Sequence, residues 1–292
     1  MRFSHSSIQT WQTCQRKYDN QYNKGIKPRK RPLPYIVGSA VGKFLEAYYQ
    51  QQPNPLLPLE AEFKNVDTAL LSTDEVADLA CQRAMCVGIA KAYPKFYNQD
   101  FDQYQKFICE KRGMLKLKNG HEYEGYLDVL CQDAAGDWWI METKTASRVD
   151  ANYLDRVKID WQVISYMWLA KEMLGSFPRG VIYNIIKKTQ IRRKNGESLA
   201  AFAKRIETEY VLHSQAKGLF HREEIIIGRD ALIQWRREVE YVTSQIADKS
   251  EGSPWPMSTG SCIQAYGACP YLNLCTSAEM NKLLYEVSKG GK

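Results

Sequence analysis

The 292-residue chain has no apolar run approaching the roughly 20 residues needed to cross a bilayer. Its opening, MRFSHSSIQTWQ, lacks the apolar core that a secretory signal needs. No internal repeat and no low-complexity tract interrupts it. These absences leave a cytoplasmic protein without membrane association as the expectation. The length allows one large domain, or one domain with helical additions. Apolar and charged residues, 44% and 25% of the chain, stand in ordinary globular proportion.

Positive charge is in excess, +7 net, and it is clustered. Residues 24–31, KGIKPRKR, and residues 187–194, KKTQIRRK, hold five basic side chains each. Such runs suit phosphate contacts and the steering of a polyanion, and they equally suit a solvated loop. The eight cysteines fall into two groups. Cys81, Cys86, Cys109 and Cys131 stand in apolar surroundings and read as small buried hydrophobes. Cys14 stands far from the C-terminal trio Cys262, Cys269 and Cys275. In a cytosolic protein such a set points to a metal centre before a disulfide framework. Four thiolates can hold a [4Fe–4S] cluster or zinc. An empty site of four free thiols is the plain alternative.

The most informative stretch is residues 122–166. It opens with EYEGYLDVLCQD, turns at AAGD and continues WWIMETKTASR, the pattern of a β-hairpin. Residues two apart on a strand share a face, so Glu142 and Lys144 point the same way, and the partner strand can set Asp128 beside them. Two carboxylates and a lysine at a hairpin end suit phosphodiester chemistry. Hard oxygens hold Mg²⁺ or Mn²⁺, and a fixed positive charge stabilises the charge that develops on phosphate. Glu-x-Lys alone is weak; Glu62 and Lys64 repeat it without a strand. The conjunction is stronger, because Gln162 and Tyr166 follow on one helical face in the chain's sole Gln-x-x-x-Tyr.

In the order Gly125-x-x-Asp128, Glu142-x-Lys144, Gln162-x-x-x-Tyr166, the chain resembles the PD-(D/E)XK nuclease superfamily, and within it the RecB-type branch that includes phage exonucleases. The resemblance implies that Asp128 and Glu142 are metal ligands and Lys144 the catalytic lysine, with Gln162 and Tyr166 contacting DNA or organising the site. Members of this branch carry a Gly-x-x-x-His pattern on an early helix. Here Gly38 is present, Gly42 stands in the histidine's place, and Glu46, one turn later, is a further candidate metal ligand. Iron–sulfur members have one cysteine before the core and three after it, the last two separated by five residues. CPYLNLC has that spacing, while the gap from Cys262 to Cys269 is longer than usual. The resemblance thus favours a [4Fe–4S] cluster over zinc, stapling the two chain ends together. It also makes a phage or bacterial setting, and a recombination or repair partner, compatible with the motifs.

Along the chain, periodicity predicts helices over residues 4–22, 38–50, 73–97, 151–174 and 229–248, with a further helix after residue 196. Strands are expected over 104–117, 180–188 and from residue 220. Asn119-Gly120 marks a hairpin turn. Prolines 28, 32 and 34 suggest an extended loop, and QQPNPLLPLE a linker. Glu110, on the first strand, is a minor acidic candidate.

The reading is an α/β fold. A restriction-endonuclease-like core with a mixed sheet flanked by helices carries helical N- and C-terminal additions. The expected divisions are residues 1–100, 101–230 and 231–292, packed as one unit. The expected activity is that of a Mg²⁺- or Mn²⁺-dependent DNA nuclease, acting as an exonuclease. A catalytically inactive DNA-binding subunit is the alternative, and a zinc-stabilised adaptor a third.

Overall fold

In a computed structural model of the chain, described over residues 1–249, 252–264, 267–277 and 280–288, the fold is mixed α/β with a mixed sheet flanked by helices. In chain order the elements are β1 (Arg2–Ser4), α1 (His5–Thr13), α2 (Gln15–Tyr18), β2 (Ile26–Pro28), α3 (Leu33–Tyr49), α4 (Leu56–Lys64), α5 (Thr73–Phe96), α6 (Asp100–Gln103), β3 (Tyr104–Lys116), β4 (Glu122–Asp133) and β5 (Trp138–Ala146). They continue with α7 (Ala151–Val157), α8 (Trp161–Leu174), β6 (Gly180–Lys187), α9 (Leu199–Lys217), β7 (Phe220–Ile225), α10 (Arg229–Ala247) and the short β8 (Ile263–Gln264), β9 (Gly267–Ala268), α11 (Leu272–Thr276) and β10 (Tyr285–Val287). Contacts divide the chain into two units. One takes Met1–Arg31, Met114–Gly125 and Ile233–Lys292, the other Pro32–Gly113 and Tyr126–Leu232.

The larger unit holds the candidate residues from Asp128 to Tyr166. From Val129 onward β4 pairs antiparallel with β5, β5 runs parallel to β6, and β6 pairs antiparallel with β7. The parallel pair needs a crossover, and α7 and α8 supply it. β6, sequence GVIYNIIK, is buried from Gly180 to Ile186, as a strand covered on both faces should be. Met141, Ile182 and Ile186 face one core with Phe44 of α3, Ile89 and Tyr93 of α5 and Ile206 of α9. α8 packs on β5 and β6.

Residues 73–96 form one helix because Ser72 and Glu75 close a capping box at its start. The close approach of α5 to α9 depends on Gly88. A Cβ there would lie 2.5 Å from the Ala203 carbonyl oxygen and 2.7 Å from the Ile206 Cβ.

In the smaller unit β1 pairs parallel with the start of β4, Phe3 opposite Tyr123. The Asn119-Gly120 turn has Gly120 at φ +82°, and the Asn119 amide donates to Glu240, Thr243 and Ser244 of α10. Trp235, almost fully buried, meets Tyr123 edge-on. β2 pairs with β10, joining an N-terminal to a C-terminal segment.

Four local expectations change. The N-terminal helix breaks at Cys14, which is extended at φ −162°, ψ 113°, before the chain resumes as α2. α3 begins at Leu33, not residue 38, since prolines in a first helical turn forfeit no intrahelical bond. The supposed linker contains α4 for the same reason, with Pro58 in its first turn. The crossover helix is split at residues 158–160, where Asp160 accepts from the Gln162 amide and caps α8.

Two glycine substitutions separate packing from propensity. Gly88→Ala should destabilise by about 1–3 kcal/mol, because the helices must part. Gly42→Ala, inside α3 where a Cβ meets nothing within 4 Å, should stabilise by about 0.5–1 kcal/mol. Opposite shifts of thermal midpoint in the two variants are the expected result.

Candidate active site

The antiparallel register ends at Val129 opposite Met141, and Asp128 and Glu142 follow directly on the two strands, close enough to interact. Strand alternation then puts Lys144 on the Glu142 face and turns Thr143 the other way. The Thr143 amide donates to Asp128 Oδ2 at 2.9 Å. Lys144 Nζ donates to Glu142 Oε1, and also to Gln162 Oε1 at 2.8 Å. Gln162 Nε2 donates to the Tyr166 hydroxyl at 2.6 Å. Asp128, Glu142, Lys144, Gln162 and Tyr166 are therefore brought into one connected group, with the helical pair held in register by the Asp160 cap.

The electrostatics of this group are one-sided. Glu142 is 1% exposed, and its second oxygen, Oε2, is buried and accepts no hydrogen bond. Asp128 is pushed up to about 8, first by burial and then by the charge of Glu142; the Thr143 amide and Lys144 oppose the shift without cancelling it. Burial works against the Lys144 charge, but Glu142 outweighs it and holds the ammonium above its ordinary range. One lysine thus serves two carboxylates. A proton on Asp128 can bridge to Glu142, and a divalent cation is a natural replacement for it. The orphaned Glu142 oxygen and the hard carboxylate donors fit such an ion. Among the described residues no three His, Cys, Asp or Glu side chains come together to hold a metal. Main-chain carbonyls, water and substrate oxygens would complete a coordination shell here.

Glu46 does not join this pair in a three-ligand group among the described residues. Its carboxylate accepts from Lys43 Nζ at 2.7 Å, and Lys43 also feels the charges of Glu110 and Glu62. Glu110 is half-buried at φ +47°, its carboxyl raised by burial and lowered by Lys43, with Asp128 and Glu46 raising it further. Lys43 was not readable as a site neighbour from sequence. The strand alternation that directs Glu142 and Lys144 to one face could have marked Thr143 as the residue anchoring the other.

A family profile described as the PD-(D/E)XK nuclease superfamily matches residues 2–276. The chain belongs to that superfamily. Among solved structures, this nuclease-family chain is similar to a candidate exonuclease from Eubacterium rectale, at 13% identity and a TM-score of 0.48 over 84% of this chain and 80% of that one. It is also similar to the protein SSO0001, at 13% identity and a TM-score of 0.32 over 79% and 80% of the two chains. No curated protein matches. Membership of the superfamily implies a nucleic-acid substrate, and divalent metals such as Mg²⁺ are general in it. No helix among the described residues is long and apolar enough to cross a membrane.

The smaller unit brings the four flagged cysteines towards one another. Cys14 is buried, and its sulfur accepts from the Ser258 amide at 3.5 Å. The Cys262 thiol faces the Ser258 carbonyl at 3.7 Å, and the Cys269 amide donates to the Cys262 carbonyl at 2.7 Å. The Cys275 thiol is raised by burial and then by Cys269, with Cys14 and Cys262 adding and Arg16 opposing. Cys275 thus lies within electrostatic reach of the other three thiols. The donor set suits a thiolate-bound centre, although no triad closes to the spacing of a single ion.

The Asp128 shift predicts a pH dependence. The folded value exceeds the ordinary 3.8, so the native protein keeps a proton that the unfolded chain releases. The associated stability is fully present below 3.8 and is lost as pH rises towards about 8. In EDTA, the difference in thermal midpoint between wild type and Asp128→Asn should shift in favour of the variant across that window. A difference that stays constant with pH would contradict the assignment.

Proposed function

We propose that the protein is a Mg²⁺- or Mn²⁺-dependent DNA nuclease of the RecB-type branch, acting as an exonuclease. The observation that carries this reading is the pairing of half-buried Asp128 with buried Glu142, under-neutralised by Lys144 and leaving one Glu142 oxygen without a side-chain or backbone donor. When bound, the cation supplies an activated water and neutralises charge on the phosphate. Asp128 and Glu142 hold it there. Lys144, fixed by Glu142 and Gln162, directs its ammonium to the scissile phosphate and the attacking water. Tyr166 orients Gln162 through its hydroxyl and so keeps Lys144 in place. Glu46 is a candidate further ligand once Lys43 releases it.

The basic run at residues 187–194 supports a polyanionic substrate. β6 ends at Lys187, beside Ala146 at the end of β5. Lys187, Lys188 and Lys217 line a cavity of about 480 Å³, together with Thr189, Gln190 and Glu209. Glu197 organises the loop that follows, bonding Arg205 while its carbonyl accepts from Arg193.

Gly42 favours a second reading, a DNA-binding subunit without catalysis, because the branch's helix histidine is missing. Cleavage of single- and double-stranded DNA in Mg²⁺ or Mn²⁺ decides between them. Lys144→Ala should lower kcat by about 10²–10³-fold while DNA affinity stays within a few-fold of wild type. Wild-type turnover in this variant would refute the role given to Lys144.

We also propose that Cys14, Cys262, Cys269 and Cys275 bind a [4Fe–4S] cluster whose role is to staple the chain ends, with zinc as the alternative occupant. Anaerobically purified protein should then show iron–sulfur absorption. Cys14→Ser should bleach it and lower stability, since cluster binding is coupled to folding; Cys131→Ser should not bleach it. A colourless protein carrying zinc would select the alternative.

A further inference from the structure

We infer that Thr143, clamped from behind the sheet by Asn184 and a buried Arg222–Asp100 pair, is a positioning residue that holds the Asp128–Glu142 pair in its binding geometry. The inference deepens the metal-site reading proposed above and rests on it for its catalytic meaning.

The clamp lies wholly within the larger unit. Asp100 is 2% exposed and accepts both guanidinium nitrogens of Arg222, each at 2.7 Å. The guanidinium lies over the Tyr97 ring, 3.6 Å from its centre, and donates to the Tyr49 and Tyr93 hydroxyls at 3.0 Å. Its remaining Nε donates to Asn184 Oδ1 at 3.3 Å. Arginine can only donate, so this contact fixes which way the fully buried Asn184 amide is turned. Asn184 Nδ2 must then face the other way, where it donates to Tyr93 at 2.9 Å and to Thr143 Oγ1 at 3.1 Å. Thr143 and Asn184 are also direct neighbours in the parallel ladder.

Thr143 needs such a hold because the strand pairing changes beside it. The register of β4 with β5 runs from Gln132↔Trp138 to Val129↔Met141 and goes no further. Beyond that point the Thr143 amide is taken by the Asp128 side chain, not by a backbone carbonyl of β4. One residue therefore faces two ways: its amide fixes Asp128, and its hydroxyl is fixed by Asn184. Glu142 and Lys144 flank it, so any rotation of the strand that misaims them also breaks the Asn184 contact. Burying an arginine–aspartate pair is a poor way to gain stability, since apolar residues of similar volume often do as well or better. Directional control of Thr143 gives the network a use that an apolar core could not supply.

The test compares Thr143→Val, which keeps shape and strand propensity but removes the hydroxyl, with Thr143→Ser, which keeps it. Two readouts are made on folded protein without DNA: Mn²⁺ affinity by calorimetry, and hydrogen exchange of the amide at position 143 by NMR. Thr143→Val should weaken Mn²⁺ about 10–100-fold, as loss of a group supporting a metal ligand does, while Thr143→Ser stays within about threefold. Exchange of the position-143 amide should accelerate in Thr143→Val alone, with the amide of Ile182 unchanged. Wild-type affinity and protection in Thr143→Val, or equal losses in both variants, would overturn the inference. A wild-type protein that binds no Mn²⁺ would instead refute the metal reading, and the exchange comparison would then decide the positioning role by itself.

Discussion

Two carboxylates forced together out of water are the constraint around which the larger unit is organised. Asp128 and Glu142 stand on neighbouring antiparallel strands just past their last paired residues, with the Lys144 ammonium bonded to Glu142. Burial and the charge of Glu142 both push the Asp128 carboxyl up, and Lys144 offsets them only in part. A proton relieves this repulsion in the cation-free protein, and a bound cation would relieve it in the proton's place.

The surroundings hold this pair from two directions. On one face α8 brings Gln162 to Lys144, its start set by the Asp160 cap. On the other face the Arg222–Asp100 pair, Asn184 and Thr143 form a polar line through an otherwise apolar core. β6 connects the two because it is buried along its length and carries Asn184 at its centre. Gly88 allows α9 to approach α5, which places Tyr93 in the line. Packing and site geometry are thus set by the same residues.

Much of this was legible in sequence where one periodicity ruled. Strand alternation places Glu142 with Lys144, and helical spacing places Gln162 with Tyr166, so the site could be assembled from those two rules. The expected hairpin is present, as are the long helix Thr73–Phe96 and the all-buried strand from Gly180. The illegible parts are those where tertiary partners override local signals. Cys14 breaks a helix whose apolar spacing runs on without interruption, and its sulfur instead accepts from Ser258 far along the chain. Prolines 32, 34 and 58 read as loop markers because a sequence does not say whether a proline starts a helix or follows one. Nothing local in Asn184 or Arg222 announces a polar line, since a buried strand normally excludes both. A division by residue range likewise cannot express a unit drawn from Met1–Arg31, Met114–Gly125 and Ile233–Lys292.

The glycine at position 42 has a consequence in charge. At Gly42 the space is open, and one residue on, Lys43 bonds Glu46 and is coupled to Glu110 and Glu62. Where a neutral imidazole could donate to a cation, this chain places an ammonium among acids. A cation approaching Glu46 must therefore displace Lys43 from a carboxylate, whereas one approaching Glu142 displaces only the proton shared with Asp128. Desolvation favours the second route, since the cost of burying Glu142 is already borne by the fold and the cost of separating Lys43 from Glu46 is not. The order of affinity follows. On the metal-site reading proposed above, the Asp128–Glu142 pair would take the first ion, and any ion at Glu46 would bind later and more weakly, with Lys43 as its competitor.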